Sequence, residues 1–346
     1  MGDDKMKAAV MHGVNQPLVV EEVPEPKLEY DEVLVATKVC GICGTDLHIL
    51  EGTGYKPKLP HILGHEPSGV VARVGEGVSK FAVGDRVVPN IFFTCGECFF
   101  CRTNRETMCT NFKGALGVGI NGGYADYFKA PAKNLFILPD KIGFKEGSVI
   151  ADAVVTAVHA VRRRAMVKAD DVVLVIGVGG VGQSVIQIAK HAGAKVFGVA
   201  RRAQRAAVGE KFGPDVVINS STQDVGQAVS SLTNGKGADI VIDNVGTNQS
   251  LTQGLSAVHR GGRIVMIGET DDTIPLSTFK LCVNELDILG SRSGGRQDTV
   301  EAIQLVESGV VTPFVSDVFP LGKINEAFES IREGNIMGRA VITMAD

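Results

Sequence analysis

The sequence predicts an α/β protein in two parts, a β-rich segment and a doubly wound parallel sheet. Three observations carry this reading. Apolar runs between Gly, Pro and Asp turn signals dominate the chain up to about residue 150. From Asp170 onward, strand-like and helix-like stretches alternate. A glycine-rich turn, Gly177-Val178-Gly179-Gly180-Val181-Gly182, joins the first of those strands to a helix.

In chain order, residues 33–39, 69–74 and 85–88 read as strands, and a short helix starts near Thr45 with Asp46 in its first turn. A longer helix covers about 146–164. Its end carries Arg162, Arg163 and Arg164, which suit the negative end of a helix dipole. Residues 171–176 form a continuous apolar strand, Gly180–His191 a helix and Lys195–Ala200 a second strand. Strands at 215–218, 238–242 and 263–267 follow. Beyond Leu289 the alternation stops: 299–308 and 323–332 read as helices and Arg339–Thr343 as a last strand, a tail able to return to the first part. The expected domains are therefore 1–152 with 290–346, carrying a metal lobe at about 90–112, and 153–289.

The bulk numbers agree. The chain has 346 residues, enough for about two domains. With 44% hydrophobic and 21% charged residues it can build ordinary cores, and its 42 glycines suit tight turns and close backbone approaches. A net charge of −4 argues against nucleic acid or an anionic membrane as partner. No apolar stretch reaches the roughly 18–20 residues of a membrane span, and Met1-Gly2-Asp3-Asp4-Lys5 is polar with no signal core behind it. The expected location is the cytoplasm, where the seven cysteines are thiols or metal ligands.

Cys95, Cys98, Cys101 and Cys109 follow C-x2-C-x2-C-x7-C. Such spacers let thiolates converge on one tetrahedral zinc, and four closed ligands make a structural site. A disulfide pair and an iron–sulfur cluster are the rival readings of the spacing. A second donor set is dispersed: Cys43 in a Cys-Gly-Thr-Asp run, His65 beside Glu66, and Asp152. Three such ligands leave one position open, as in a catalytic zinc, and their charges balance the metal's. On spacing alone, a buried Cys, a lone His and a helix-start Asp have ordinary structural explanations as well.

The glycine loop stands where a dinucleotide pyrophosphate would meet a helix N-terminus. Counting on from Gly182, the place of an NAD-selecting carboxylate holds Ala200, followed by Arg201 and Arg202. No carboxylate repels a 2′-phosphate there and two guanidiniums can clamp one, so NADP(H) is favoured and NAD(H) is possible. The competing reading is that both arginines face solvent from an ordinary turn.

Taken in order, these pieces resemble the zinc-dependent medium-chain dehydrogenase/reductase (alcohol dehydrogenase) family over nearly the whole chain. The most specific stretch is Gly64-His65-Glu66-Pro67-Ser68-Gly69-Val70-Val71, through Val74-Gly75 to Gly84-Asp85-Arg86-Val87. The resemblance implies a GroES-like catalytic domain, a Rossmann cofactor domain and two Zn²⁺ per chain. It implies Cys43 and His65 as catalytic zinc ligands, Glu66 as a carboxylate able to alternate at the metal, Asp46 as the residue orienting the histidine, and Thr45 with His48 as a proton relay. The third ligand departs from the commonest pattern, which has Cys; this chain has Asp152, as some bacterial and archaeal branches do, with Glu66 as the alternative. Asn244, Val245, Gly268, Ser291 and Arg292 resemble adenosine- and nicotinamide-side contacts, and Arg339 a pyrophosphate contact. Cys40 and Cys282 match no ligand position and read as small core residues, while Tyr55 and Ile91 read as pocket lining.

The expected reaction is hydride transfer between an alcohol, with a secondary alcohol or polyol favoured, and NADP(H), giving the ketone or aldehyde. The expected partner is a small-molecule alcohol or carbonyl, with no nucleic acid and no membrane, in a homodimer or homotetramer joined near 281–289. The alternatives are a zinc-independent quinone or enoyl reductase of the same fold and a non-catalytic nucleotide-binding protein.

Overall fold

A computed structural model describes residues 5–344; residues 1–4, read above as part of a polar start, lie outside the described residues. The chain divides into two compact units. One comprises 1–155, 294–308 and 313–346, the other 156–293 and 309–312.

The first unit is built on β-sheet. Its main sheet runs in the order Leu135–Ile137, Arg86–Pro89, Glu66–Val74, Glu32–Ile42, Arg339–Thr343, Val315–Pro320, with Tyr127–Pro131 also paired to Glu32–Ile42. The C-terminal strand thus returns to the first part as expected, Ile342 facing Cys40 across an antiparallel pair. A smaller sheet pairs Lys5–Met11 with Val19–Pro24 and His61–Ile62. Met11, Leu63, Tyr124, Phe328 and Ile342 fill the core of this unit.

The second unit holds six parallel strands in the order Val216–Asn219, Lys195–Ala200, Val172–Ile176, Ala238–Asp243, Val258–Met266, Asp287–Gly290. The order reverses direction beside Val172–Ile176, which is the doubly wound arrangement with its ligand crevice at the switch point. Leu174, Ile176, Phe197, Val199, Val241 and Ile264 are buried along these strands, as continuous apolar runs require. Strand Val258–Met266 starts earlier than expected, because an irregularity passes over His259–Gly262 before regular pairing resumes at Arg263. Among the described residues, no helix is long and apolar enough to cross a membrane.

Residues 146–164 are helical, as expected, but not uniformly α. Phe144–Val149 is followed by a π-helical turn, Ile150–Val154, then by Val155–Val158 and a second π-helical stretch, His159–Ala165. Such turns shift side-chain register at functional sites. The first one carries Asp152.

Cys282 corrects an expectation: it is exposed, on helix Thr278–Asn284, in which no residue is buried. Phe279 and Val283 on the same helix are exposed too, so the helix offers the cysteine no core to enter. Cys40 is fully buried.

Candidate functional site

Cys43 caps the N-terminus of helix Gly44–Leu50 in an extended conformation, and Asp46 stands at its third position. There the Asp46 Oδ2 accepts the Cys43 N–H at 2.9 Å, the reach-back of a capping box. The other oxygen, Oδ1, lies 3.1 Å from His65 Nδ1. A carboxylate without a proton can only accept, so Nδ1 carries a hydrogen and Nε2 is the ring nitrogen left to face the cluster. That nitrogen is 3.8 Å from Asp152 Oδ2, which is 3.5 Å from Cys43 Sγ.

Donor atoms of Cys43, His65, Glu66 and Asp152 all lie within 4.8 Å of one another. A tetrahedral zinc would set S···O and N···O separations at about 3.5 Å and 3.3 Å from its ordinary bond lengths. The observed spacings therefore fit a metal with little adjustment. The chemistry of the set fits as well: a thiol, an imidazole freed at Nε2 and buried carboxylates are all zinc ligands. Glu66 Oε2 is buried against Gly41 with no hydrogen-bond partner among the described residues.

The electrostatics are those of a buried charge cluster. Burial pushes the Glu66 carboxyl up to about 8, against the Arg339 guanidinium, while the Asp152 charge pushes the same way as burial. Asp152 is held well below the usual carboxylate range; burial opposes this, but the His65 hydrogen bond and charge, with Arg339, outweigh it. Burial opposes protonation of His65, yet Asp46 and Asp152 raise it well above its ordinary value. Arg339 is buried and its guanidinium pairs with Glu66, with Asp152 Oδ2 at 3.4 Å. The arginine expected at a pyrophosphate is thus engaged with the carboxylates of this cluster. Thr45 Oγ1 is 3.8 Å from Cys43 Sγ, and Thr45 and His48 are half-buried, three residues apart on one helix and so on one face. Tyr55 packs against the core and Ile91 is buried.

The four-cysteine lobe is a second cluster. Its Sγ–Sγ separations are 3.5 Å for Cys98–Cys101 and Cys95–Cys109, 3.9 Å for Cys95–Cys101 and 4.0 Å for Cys98–Cys109. A zinc–thiolate tetrahedron has edges of about 3.8 Å, so the lobe is already shaped for the ion. Two backbone N–H groups point at sulfurs, Cys95 at Cys109 and Cys98 at Cys95, both at 3.4 Å. Hydrogen bonds from the Cys101 and Thr110 backbone hold the Cys98 thiol down to about 6, whereas burial lifts Cys101 to about 12. Sequence reasoning missed what anchors this lobe. Glu106, buried between the third and fourth cysteines, accepts from Arg296 N and Nε, each at 2.6 Å.

In the second unit, the glycine loop leaves strand Val172–Ile176 and enters helix Gly180–His191. Gly177 has φ +87°, and a Cβ on Gly182 would overlap the Gly177 carbonyl oxygen, so both places exclude a side chain. Asn244 Nδ2 donates to the carbonyls of Ile176 and Gly177, at 3.2 and 3.3 Å. Buried Asp243 shapes the neighbouring turn, accepting from Val245 N, Gly246 N and Ser250 Oγ. Ala200 is buried at its strand end, while Arg201 and Arg202 are exposed. Arg205, which sequence reasoning left without a role, is half-buried one helical turn on. Its Nη1 lies 3.8 Å from where a Cβ on Gly179 would stand. Burial and the neighbouring Arg202 charge both lower its affinity for a proton. Ser291 and Ser293 are buried with hydroxyls that lack partners among the described residues, and Arg292 between them is half-buried.

Comparison with known proteins identifies the family of both parts of the chain. Residues 29–140 match the family described as alcohol dehydrogenase GroES-like domain, and residues 180–308 the family described as zinc-binding dehydrogenase. An alcohol dehydrogenase of Geobacillus stearothermophilus is 37% identical over 97% of this chain and 99% of its own. An acryloyl-coenzyme A reductase of Sulfurisphaera tokodaii is 31% identical over 97% of this chain and 99% of its own. Among solved structures, the alcohol dehydrogenase of Aeropyrum pernix superposes with a TM-score of 0.92 at 31% identity, covering 98% of this chain and 100% of that one.

Proposed function

Because the chain belongs to the zinc-dependent medium-chain dehydrogenase/reductase family and is one of its NAD(P)-dependent alcohol dehydrogenases, we propose that it oxidises a secondary alcohol or polyol with NADP⁺ and runs the reverse reduction with NADPH. The carrying observation is the convergence of Cys43, His65, Glu66 and Asp152 donors within 4.8 Å. In this reading Cys43, His65 and Asp152 hold a catalytic zinc, Cys95, Cys98, Cys101 and Cys109 hold a structural one, and the domains are 1–152 with 290–346 and 153–289. When bound, the metal supplies a Lewis acid that acidifies an alcohol hydroxyl, and the nicotinamide supplies the hydride acceptor.

The chain's own groups do the rest. Asp46 fixes the His65 tautomer, and the −1 charges of Cys43 and Asp152 balance a divalent cation. Arg339 keeps Glu66 paired, so this carboxylate stands by as an alternating ligand without overcharging the shell. The Thr45 hydroxyl and the His48 imidazole serve as the relay that carries the alcohol proton outward to solvent. Gly177, Gly179, Gly180, Val181 and Gly182 receive the cofactor pyrophosphate, and Asn244, Val245, Gly268, Ser291 and Arg292 contact the rest of the cofactor. Arg201 and Arg202, with Arg205 added, take the 2′-phosphate beside Ala200. Free thiols throughout suit a reducing cytoplasm. The exposed apolar face of Phe279 and Val283, beside edge strand Asp287–Gly290, suits a homodimer or homotetramer contact.

The acryloyl-coenzyme A relative makes an enoyl reductase the reading to test against. Zinc counting combined with a panel of alcohols, carbonyls and enoyl thioesters, offered with NADP(H) and NAD(H) before and after chelation, decides. Two zincs per chain and chelator-sensitive alcohol oxidation are expected, and Cys43→Ser abolishes turnover while cofactor still binds. One zinc per chain, or full activity after Cys43→Ser, refutes the assignment.

A further inference from the structure

We propose that Tyr124 is a positioning residue for the metal ligand His65, acting through the carboxylate of Asp46; the proposal rests on the reading of Cys43, His65 and Asp152 as ligands. Asp46 is fully buried and both its oxygens are doubly engaged. Oδ1 accepts from His65 Nδ1 at 3.1 Å and Gly64 N at 3.3 Å; Oδ2 accepts from Cys43 N at 2.9 Å and the Tyr124 hydroxyl at 3.1 Å. A carboxylate offers about four lone-pair sites, so this one is saturated.

The four donors differ in kind. Three belong to the ligands or their chain neighbours: Cys43 itself, His65 itself, and Gly64 just before it. These are the groups whose positions Asp46 must define. Tyr124 alone comes from a remote segment, 78 residues along the chain. It is therefore the fastening that gives the carboxylate an orientation independent of what it orients.

Tyr124 is itself held rigidly. Its side chain has no solvent exposure, and its ring lies edge-on to Phe328 at 6.2 Å and against Gly64. Its N–H donates to Leu63 O at 3.1 Å, which fixes the segment against the strand leading to His65. The hydroxyl's second neighbour, Gly41 O at 3.2 Å, is also an acceptor. With a carbonyl and a carboxylate before it, the phenol has one role, that of donor. Groups that orient metal-bound histidines typically contribute about 10–100-fold to metal affinity.

Tyr124→Phe keeps the ring and deletes only the donor. Zinc content is measured first, then the rate at which each zinc passes to 1,10-phenanthroline, with the four-cysteine zinc as an internal clock. Cobalt(II) placed in the Cys43–His65–Asp152 site gives a ligand-field spectrum that reports its geometry. Expected for Tyr124→Phe are roughly tenfold faster release from that site alone, an altered cobalt spectrum and an unchanged four-cysteine clock. Phe328→Leu, which disturbs the same packing but spares the hydroxyl, leaves both readings as in the wild type. Wild-type release and spectrum in folded Tyr124→Phe overturn the proposal while leaving the metal reading intact. A single zinc in the wild type overturns both. Should Tyr124→Phe not fold, the wild type is prepared with 3-fluorotyrosine, whose more acidic phenol donates more strongly. Slower release from the site is then expected, and an unchanged rate overturns the proposal.

Discussion

The guanidinium of Arg339 is buried against the carboxylate of Glu66, and the same nitrogen lies 3.4 Å from Asp152 Oδ2. One cation thus faces two carboxylates in a place largely shielded from solvent, the Arg339 and Asp152 side chains being 8% and 12% exposed. Breaking a buried pair by removing one partner strands the other, at a cost of about 3–5 kcal/mol. Arg339→Gln is expected to lose that much stability in urea unfolding of zinc-depleted protein, and less in zinc-replete protein, where a second cation faces Asp152. Arg339→Lys keeps the charge without the planar fork and should fall between. An equal loss with and without zinc would separate the arginine from the metal cluster.

Glu106 and Arg296 couple the cysteine lobe to the start of helix Arg296–Glu307. Glu106 is 5% exposed, while the Arg296 side chain is 33% exposed, so solvent screens the pair in part. Glu106→Gln keeps the shape and loses the charge, and a charge-assisted bond is worth about 1.5–3 kcal/mol. The expected outcome is a stability loss of that order, together with faster chelation of the four-cysteine zinc and unchanged release from the Cys43 site. Equal acceleration at both sites would mean that the effect is global unfolding.

How much of this was legible in the sequence depends on the range of the contacts. Helix Gly180–His191 and strands Lys195–Ala200 and Arg339–Thr343 stand at their expected bounds, because periodicity and glycine punctuation are local signals. The helix expected from Thr299 starts at Arg296 instead. Asp298 accepts from Gly295 N at 2.9 Å and caps it three residues earlier, a signal that the sequence carries. Cys43, His65 and Asp152 could be grouped only through resemblance, since 109 residues separate the first and last and no spacing rule spans that distance. Tyr124, Glu106 and the pairing of Arg339 were invisible for the same reason. Each depends on which distant segments the fold brings together, and for Glu106 that is the lobe and helix Arg296–Glu307.

His61 is buried, and its Nε2 has no hydrogen-bond partner among the described residues. Burial pulls its affinity for a proton below the ordinary histidine value, against the Gly117 backbone and the Asp46 charge. The unfolded chain takes up a proton near pH 6.5, whereas the folded chain resists until lower pH. The stability contribution is therefore complete above about pH 6.5 and is lost as pH falls from there through the folded value. His61→Leu removes this titration. Urea midpoints between pH 7.5 and 5 should fall less steeply for His61→Leu than for the wild type, and parallel slopes would show that His61 does not govern the acid limb.

Arg205 and Gly179 lie close enough that an anion over the glycine loop would meet the guanidinium, with exposed Arg201 and Arg202 nearby in sequence. A 2′-phosphate brings charge that three arginines can share, while a plain ribose brings none, so their deletion should discriminate between cofactors. Replacing one charged hydrogen-bond partner costs about 1.5–3 kcal/mol, or roughly 10–150-fold in affinity. Arg202→Ala is expected to weaken NADPH by an amount in that range and NADH by much less. Arg205→Ala should weaken both cofactors, because its reach toward Gly179 serves the pyrophosphate they share, and NADPH further through its part in holding the 2′-phosphate. Ala200→Asp combined with Arg202→Ala should invert the preference by adding a carboxylate that repels phosphate and accepts from the ribose hydroxyls. Fluorescence titration of each variant with NADPH and NADH gives the ratios. Equal weakening of both cofactors by Arg202→Ala would place the 2′-phosphate elsewhere and remove the case for NADP(H).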